Sequence, residues 1–258
     1  MINKMIISVS GKGGAGKTTL VALLLKVLLS HRSDKAILVV DADPATNLPE
    51  VLGVKVEKTI GDIVNDFRDT VSKPKTAIGL SKDTLLEAWV YEALVELPEF
   101  DLLAMGRTEG EGCYCYVNAV LTKVLDRLSS NYDIVLMDME AGLEHISRRT
   151  DRNVDTMIIV TDPSVMGFRT AERIKELLKE VHIEVKKVYV VGNRFPDKMK
   201  DLIWKWSLKT GIELAGLLPE DPTIYEYNML GKPLLEIPDD SPAVKATKEI
   251  AKKIGIIS

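Results

Sequence analysis

Several residue types are scarce in this 258-residue chain, and each shortage argues against a class of protein. Cysteine occurs only at Cys113 and Cys115, and two cysteines one residue apart cannot form the disulfide framework of a secreted domain. The 34 lysines and arginines are outnumbered by 38 acidic residues, so no basic surplus indicates a nucleic-acid surface. Apolar runs fall short of the roughly 20 residues that a membrane span needs, and residues 1–10 lack a signal-peptide pattern. We therefore expect a cytoplasmic protein that binds no nucleic acid.

What the chain does contain is an alternation of short apolar runs with longer amphipathic stretches. The runs have the length of buried strands, and the stretches between them have the length of helices. This alternation predicts an α/β fold with a mostly parallel sheet and helices on both faces, in one domain that spans residues 1–258. The predicted strands are Met5 to Ser10, Ala36 to Val40, Asp101 to Met105, Ile134 to Met137, Thr156 to Val160, Lys187 to Val191 and Ile212 to Leu217; the predicted helices include Lys17 to Ser30, Tyr116 to Leu128, Gly167 to Val181 and Pro196 to Lys209.

One stretch, at about residues 54–100, breaks this alternation. Thr59 is placed to cap a short helix that ends near Phe67. Ser81 or Asp83 is placed to cap a longer helix that ends near Leu97. The sequence therefore predicts an inserted pair of helices here.

A phosphate-binding loop follows the first predicted strand directly. Its residues satisfy the pattern G-x-x-x-x-G-K-[ST] between a strand and a helix, which is the context this motif requires. Glycines let backbone N–H groups curl around phosphate oxygens, and the helix N-terminus adds its positive end. The lysine of the motif reaches the β- and γ-phosphates, and its hydroxyl residue coordinates Mg²⁺. The nucleotide-binding residues predicted here are Gly11, Lys12, Gly13, Gly14, Ala15, Gly16, Lys17, Thr18 and Thr19.

Two other predicted strands end in acidic residues. Asp138 closes the run Asp133-Ile-Val-Leu-Met-Asp138 and is the candidate carboxylate for the magnesium shell beside Thr18. Asp41 and Asp43 follow the second strand; we assign Asp41 to the neighbourhood of the metal and Asp43 to the orientation of the attacking water. The alternatives are that Asp138 caps a helix and that Asp43 with Pro44 forms an ordinary turn.

The lysine at Lys12, ahead of the usual Lys17, gives a loop that resembles the deviant P-loop of the MinD/ParA/nitrogenase-iron-protein superfamily. In that superfamily the additional lysine crosses a dimer interface to the partner's nucleotide and neutralises charge in the transition state, as an arginine finger does. The resemblance therefore implies a homodimer in which Lys12 is catalytic. The alternative is a loop lysine that faces solvent.

The resemblance extends over nearly the whole chain. Asp41 to Asn47 looks like the first switch, and Asp138 to Gly142 looks like the second, which senses the γ-phosphate. Asn193, in Gly192-Asn-Arg194, looks like the residue that reads adenine, unless it only forms a turn. Pro219 and Glu220 resemble the segment on the other side of the purine. The resemblance implies ATP rather than GTP as the substrate.

Two further blocks resemble the CooC-type accessory ATPases, which assist nickel incorporation into carbon monoxide dehydrogenase. The first is Gly106-Arg-Thr-Glu-Gly-Glu-Gly-Cys113-Tyr-Cys115-Tyr-Val-Asn118, and the second is Asp138-Met-Glu-Ala-Gly-Leu-Glu-His145. After His145 the chain departs from the expected glycine-rich continuation and reads Ile-Ser-Arg148-Arg149. The resemblance implies a metalloenzyme client, carbon monoxide dehydrogenase.

The two cysteines suit a metal site shared between two chains. A closed site for a soft metal needs about four donors, and one chain supplies two thiols, so a twofold axis would complete the set. Such a site suits Zn²⁺, Ni²⁺ or an iron-sulfur cluster. Redox chemistry of the thiols and inert thiols near a helix start are the alternatives. His145 is a possible additional ligand, although a hydrogen-bonded loop histidine explains it as well.

Together these features predict an ATP-hydrolysing metallochaperone with ATP or ADP and Mg²⁺ at the P-loop, and Ni²⁺ or Zn²⁺ at Cys113 and Cys115. One alternative is a spatial-organisation ATPase of the MinD or ParA kind that acts on a membrane or nucleoid. Its support is the basic and apolar helix pattern from Pro242 to Ile257, for which packing onto the domain is the competing explanation and the one we prefer, so we expect no stable membrane association. A second alternative is an iron-sulfur electron-transfer ATPase.

Overall fold

The computed structural model of the protein describes residues 4–31, 34–71, 91–107, 128–140, 154–180 and 185–258. These residues form one sheet of eight strands in the order β3-β4-β2-β5-β1-β6-β7-β8. Every neighbouring pair is parallel except β3 with β4, so the mostly parallel sheet is confirmed. The strands are β1 Met5–Gly11, β2 Ile37–Asp41, β3 Leu94–Glu96, β4 Asp101–Ala104, β5 Ile134–Asp138, β6 Val154–Thr161, β7 Val185–Asn193 and β8 Glu213–Leu218.

Helices cover both faces of this sheet, as the alternating pattern predicts. Successive strand residues point to opposite faces, and in β2 Val39 belongs to one core while Leu38 and Val40 belong to the other. Helices α1, α2 and α7 pack on the Val39 face, and α3, α4 and α5 pack on the opposite face. The helices are α1 Lys17–His31, α2 Leu48–Leu52, α3 Ile60–Val71, α4 Val165–Glu180, α5 Lys200–Thr210, α6 Pro222–Leu230 and α7 Pro242–Ile254.

The predicted helix that ends near Leu97 is wrong at its C-terminal end. Residues Leu94–Glu96 form β3, which pairs antiparallel with β4 at the edge of the sheet. The Leu97 N–H donates to Phe100 O at 3.1 Å and closes the turn between the two strands. Pro98 lies inside that turn, where it requires no backbone N–H. The hydrogen bonds available from β4 outweigh a helical preference that three residues cannot express on their own.

Two other predicted helices have the expected character. Helix α3 starts after Thr59, as predicted, and extends a turn beyond Phe67. The apolar side of α7 is buried, and α7 contacts α1 and β8, so its apolar residues are used in packing onto the domain. None of the helices in the described part of the chain is long and apolar enough to cross a membrane. The helix predicted from Tyr116 to Leu128 lies outside the described residues except at Leu128.

Candidate active site

The phosphate-binding loop lies at the carboxyl edge of the sheet, between β1 and α1. It opens into a cavity of about 1090 Å³, near the upper end of ordinary small-molecule sites. Lys17 begins α1 and is only 8% exposed. The cavity is lined by loop residues together with residues from three other segments, and the predicted members are Gly13, Gly14, Gly16, Lys17, Thr18, Thr19, Asp43, Asn193, Pro219 and Glu220. The structure thus brings ten of the predicted residues to one cavity.

Gly11 and Ala15 support the loop instead of lining the cavity. Gly11 has a φ of 151°, and a Cβ atom there would lie 2.2 Å from the Val160 carbonyl oxygen of the adjacent strand β6. Only glycine fits that approach. Ala15 is fully buried, and its N–H donates to Lys12 O at 3.1 Å across the turn. The tight turn is therefore fixed by the sheet beneath it.

Thr18 and Asp138 form the polar floor of the site. The Thr18 hydroxyl donates to Asp138 Oδ2 at 2.6 Å. Asp138 ends β5 and is 1% exposed, and its Oδ1 is buried without a hydrogen-bond partner. A buried carboxylate oxygen with no donor is costly unless a ligand completes it. A hydroxyl beside an incompletely bonded carboxylate is an oxygen donor set that fits Mg²⁺.

Asp41 lies beside Asp138, at the end of the neighbouring strand β2. It pairs directly with Asp138 in the register of β2 and β5. Its Oδ1 accepts from the Asp43 N–H at 3.0 Å, and its Oδ2 accepts from the Leu48 N–H at 2.9 Å. Both oxygens are thus occupied by backbone donors of the following loop, and Asp41 holds that loop in place. Asp43 instead lines the cavity, and its Oδ1 accepts from the Ala45 N–H at 2.9 Å.

Burial makes both strand-end carboxylates weak acids. Desolvation, with a further contribution from the negative charge of Asp138, raises the pKa of Asp41 to about 7. Desolvation also raises the pKa of Asp138 to about 6, although the Thr18 hydroxyl and the nearby ammonium of Lys17 act to lower it. A divalent cation would favour the charged forms of both groups.

The far wall of the cavity comes from the ends of β7 and β8. Asn193 is 9% exposed, and its Nδ2 donates to Ala15 O at 2.7 Å. Arg194 adopts a left-handed φ of 57°, and its Nη2 donates to Gly14 O at 2.6 Å. Pro219 and Glu220 complete this wall after the end of β8. Asn193, the residue predicted to read the base, therefore also contacts the phosphate-binding loop.

Lys12 is held within its own chain. Its Nζ lies 3.0 Å from Asp162 Oδ2 and 3.3 Å from the Ser164 hydroxyl. Partial burial acts to raise the pKa of Asp162, but hydrogen bonds from Ser164 and Lys12 lower it overall. The side chains of Lys12 and Asp162 are 35% and 18% exposed. An ion pair this accessible contributes at most about 1 kcal/mol, so it can open at little cost.

Comparison with known proteins identifies the family. An AAA domain model matches residues 3–190. An uncharacterized ATP-binding protein of Methanocaldococcus jannaschii is 47% identical over 250 residues, which are 97% of this chain and 98% of that protein. The chain belongs to the AAA domain family of P-loop ATPases.

Two further similarities extend along nearly the whole ATPase. The carbon monoxide dehydrogenase accessory protein CooC of Rhodospirillum rubrum is 30% identical over 254 residues, with 93% of this chain and 92% of that protein covered. The MinD cell division protein of Aquifex aeolicus superposes with a TM-score of 0.69 over 99% of this chain and 98% of that chain, at 23% identity. The ATPase therefore has the MinD/ParA-type P-loop fold.

The structure adds residues to the site that the sequence interpretation did not assign. Asp162 directly follows Thr161, the last residue of β6. An acidic residue at the end of a strand is a sequence signal that could have identified a partner for Lys12. Tyr225 and Asn228 line the cavity from α6. They carry no sequence signal, because α6 buries none of its residues and its apolar side chains follow no helical stripe.

The predicted soft-metal ligands Cys113 and Cys115, and the possible additional ligand His145, lie outside the described residues of the ATPase. In the ranges that the structure does describe, no group of three or more histidine, cysteine and acidic side chains is placed to hold a metal ion. The shared thiolate site therefore remains a prediction.

Proposed function

We propose that this ATPase binds Mg²⁺ with ATP at the P-loop, hydrolyses ATP, and uses the cycle to handle a soft metal as a cytoplasmic metallochaperone. The observation that carries the hydrolytic part is the convergence of Lys17, Thr18 and Asp43 on one cavity, with Asp138 hydrogen-bonded to Thr18. This set contains the Lys17 ammonium for the phosphates, the oxygens of Thr18 and Asp138 for Mg²⁺, and the Asp43 carboxylate at the cavity wall.

Each residue has a distinct role in the proposed reaction. Lys17 contacts the β- and γ-phosphates, and Thr18 and Asp138 hold Mg²⁺. When bound, Mg²⁺ neutralises charge that develops on the phosphate oxygens. Asp43 orients the attacking water, since its carboxylate lines the cavity whereas that of Asp41 is occupied by backbone N–H groups. Asp41 fixes the loop that carries Asp43.

Asn193 favours adenine over guanine. One of its two Nδ2 hydrogens is donated to Ala15 O, so Oδ1 and the second Nδ2 hydrogen are left for a base, and they match the donor and the acceptor on the adenine edge. An amide oxygen accepts a hydrogen bond from the adenine amino group, whereas it faces another acceptor in the guanine carbonyl. This chemistry supports ATP and ADP as the nucleotides.

A homodimer is the proposed working form. The ion pair of Lys12 is accessible and weak, so its ammonium can move from Asp162 to the nucleotide of a second chain. Val165 and Met166 follow Ser164, whose hydroxyl contacts Lys12, and they are 67% and 56% exposed. Large apolar side chains exposed next to a mobile charge suit a surface that a second copy covers.

The metallochaperone part rests on the similarity to CooC, whose name states that it is an accessory protein of carbon monoxide dehydrogenase. Two thiols per chain, Cys113 and Cys115, suit a soft-metal site completed by a twofold axis. In this proposal Ni²⁺ or Zn²⁺ is cargo for a metalloenzyme client, and the proposed client is carbon monoxide dehydrogenase. ATP closes the dimer and assembles the thiolates, and hydrolysis separates them.

A pair of variants tests the proposal by opposite losses. Titration with Ni²⁺ and Zn²⁺, followed by calorimetry and native mass spectrometry, is expected to give one metal ion per two chains. Cys113→Ser/Cys115→Ser should lose this metal and keep ATP binding, because serine supplies no thiolate. Lys17→Ala should lose ATP binding and hydrolysis. One metal ion bound per chain, or unchanged binding in the double cysteine variant, would refute the shared site.

Spatial organisation in the manner of MinD is the competing function, and the fold similarity to the Aquifex aeolicus protein is its support. It requires a surface for a membrane or nucleoid. The apolar residues of α7, the helix whose sequence suggested such a surface, are buried against the domain. We therefore favour metal handling. An iron-sulfur electron-transfer ATPase would instead show a cluster spectrum after anaerobic reconstitution with iron and sulfide.

A further inference from the structure

The end of β7 holds the phosphate-binding loop through two adjacent side chains. Asn193 Nδ2 donates to Ala15 O at 2.7 Å, and Arg194 Nη2 donates to Gly14 O at 2.6 Å. Gly14 and Ala15 are consecutive, so the two contacts fix neighbouring carbonyl groups of the loop. Asn193 has a predicted role with the base, whereas the sequence assigns no role to Arg194.

Holding a carbonyl also aims an N–H group. In a trans peptide the carbonyl oxygen and the N–H of the next residue point in opposite directions, and no described peptide bond is cis. Fixing the Gly14 carbonyl therefore fixes the Ala15 N–H, which donates to Lys12 O and closes the loop. Fixing the Ala15 carbonyl likewise turns the Gly16 N–H away from Asn193. The shape of the loop thus depends on contacts made from outside it.

The loop needs such external support because of its composition. Gly13, Gly14 and Gly16 leave the backbone free to adopt many conformations, and Gly14 and Gly16 have left-handed φ values of 75° and 97°. A flexible loop must be ordered before it can bind phosphate, which reduces affinity. Contacts that order the loop in advance remove part of this cost.

Arg194 has an unusual backbone for this purpose. Its φ of 57° is uncommon for any residue with a side chain, and such conformations concentrate at functional sites. The Arg194 N–H donates to Leu218 O at 3.0 Å, which ties this backbone to the end of β8. The guanidinium is solvent-exposed yet directed at the loop carbonyl.

We propose that Arg194 is a positioning residue that holds the phosphate-binding loop in its binding shape through the Gly14 carbonyl, and that it affects phosphate binding without reading the base. This rests on the proposed function only in that the loop binds the phosphates of ATP.

The test compares ATP with inorganic tripolyphosphate, which has the phosphates but no base or ribose. Arg194→Asn is the informative variant, because asparagine tolerates the left-handed backbone while it removes the guanidinium. Calorimetry with Mg²⁺ should show both ligands weakened by the same factor, about three- to tenfold, the scale of one lost exposed hydrogen bond. Arg194→Lys should recover part of the affinity. Arg173→Asn, an exposed change on α4, should leave both affinities unchanged.

The outcomes separate the proposal from a contact with the base or the ribose and from a role in fold stability alone. Weaker ATP binding with unchanged tripolyphosphate binding would make Arg194 a base or ribose contact and would overturn the proposal. Unchanged binding of both ligands would also overturn it. A lower melting temperature without ligand, with the affinities at wild-type values by calorimetry below that melting temperature, would reduce the contact to fold stability. If the wild-type protein binds neither ligand, the proposed function fails first.

Discussion

At the scale of single residues, Asp138 shows how a buried cation site lowers the stability of the protein when no cation is bound. Its folded pKa of about 6 lies above the ordinary value of 3.8, and that of Asp41 lies at about 7. Between pH 3.8 and these folded pKa values, the two carboxyls keep their protons in the folded protein but lose them in the unfolded chain. Their full contribution to stability is therefore present only below about pH 4, and it is lost as the pH rises towards 7.

Asp138→Asn should consequently stabilise the protein in the absence of metal. In EDTA at pH 8 we expect a gain of about 1–3 kcal/mol in the free energy of unfolding, because no charge is buried. The gain should disappear near pH 4, where the wild-type carboxyl is neutral. Denaturant titrations at both pH values measure it, and added Mg²⁺ with ADP should stabilise only the wild type. A variant less stable than the wild type at pH 8 would contradict the pKa argument.

The sequence predicts which residues form the site more completely than it predicts what each of them contacts. Gly13 to Thr19 and Asp138 could be predicted because a contiguous motif and a strand-end acid carry their own context. The ion pair between Lys12 and Asp162 joins residues that are 150 positions apart, so no local pattern encodes it. It depends on strand order, which the sequence does not state. The contacts of Asp41 with the backbone of Asp43 and Leu48 span only two and seven positions, but they depend on the conformation of the loop that follows β2.

At the scale of elements, α3 begins with a reciprocal cap. The Asp62 N–H donates to Thr59 Oγ1 at 3.2 Å, and the Thr59 N–H donates to Asp62 Oδ2 at 2.9 Å. The same turn contacts the end of β4, since the Gly61 N–H donates to Met105 O at 2.8 Å. The cap thus fixes α3 against the strand that leads into the segment containing Cys113.

Thr59→Ala should destabilise the protein by about 1 kcal/mol, because the Asp62 N–H loses its acceptor and the Asp62 carboxylate loses the Thr59 hydroxyl as a donor. For a domain of this size that loss corresponds to a decrease in melting temperature of about 2 °C. Thr59→Ser keeps the hydroxyl and is the matched control, with a melting temperature near that of the wild type. Calorimetric melts of the three proteins decide the point, and equal values for all three would show that the cap contributes nothing.

Helices and strands could be predicted where they are long enough to show a periodic pattern. The parallel strands and α1, α4 and α7 extend over enough residues to show a burial pattern. Strand β3 has only three residues, and its identity comes from the hydrogen bonds that β4 offers. An edge strand of this kind is decided by its neighbour, so the interpretation of residues 94–96 as helix failed.

At the scale of the whole molecule, the proposed dimer depends on the release of Lys12 from Asp162. Lys12→Gln should retain ATP binding within a factor of about three, since Lys17 remains on the phosphates. It should associate weakly and hydrolyse ATP at least about tenfold more slowly, because no cation reaches the partner's nucleotide. Light scattering with a non-hydrolysable ATP analogue and steady-state phosphate release measure these effects. Normal association together with normal turnover would leave Lys12 without a role between chains.

The direct pairing of Asp41 with Asp138 has a further consequence for the durability of the site. The two acids are held by the backbone ladder between β2 and β5, near the middle of the sheet, and not by loops. A parallel register cannot shift gradually, since a slip of one residue would turn each side chain to the opposite face. Central-strand amides exchange with solvent mainly when the whole domain opens. The spacing of the two carboxylates is therefore as long-lived as the fold itself.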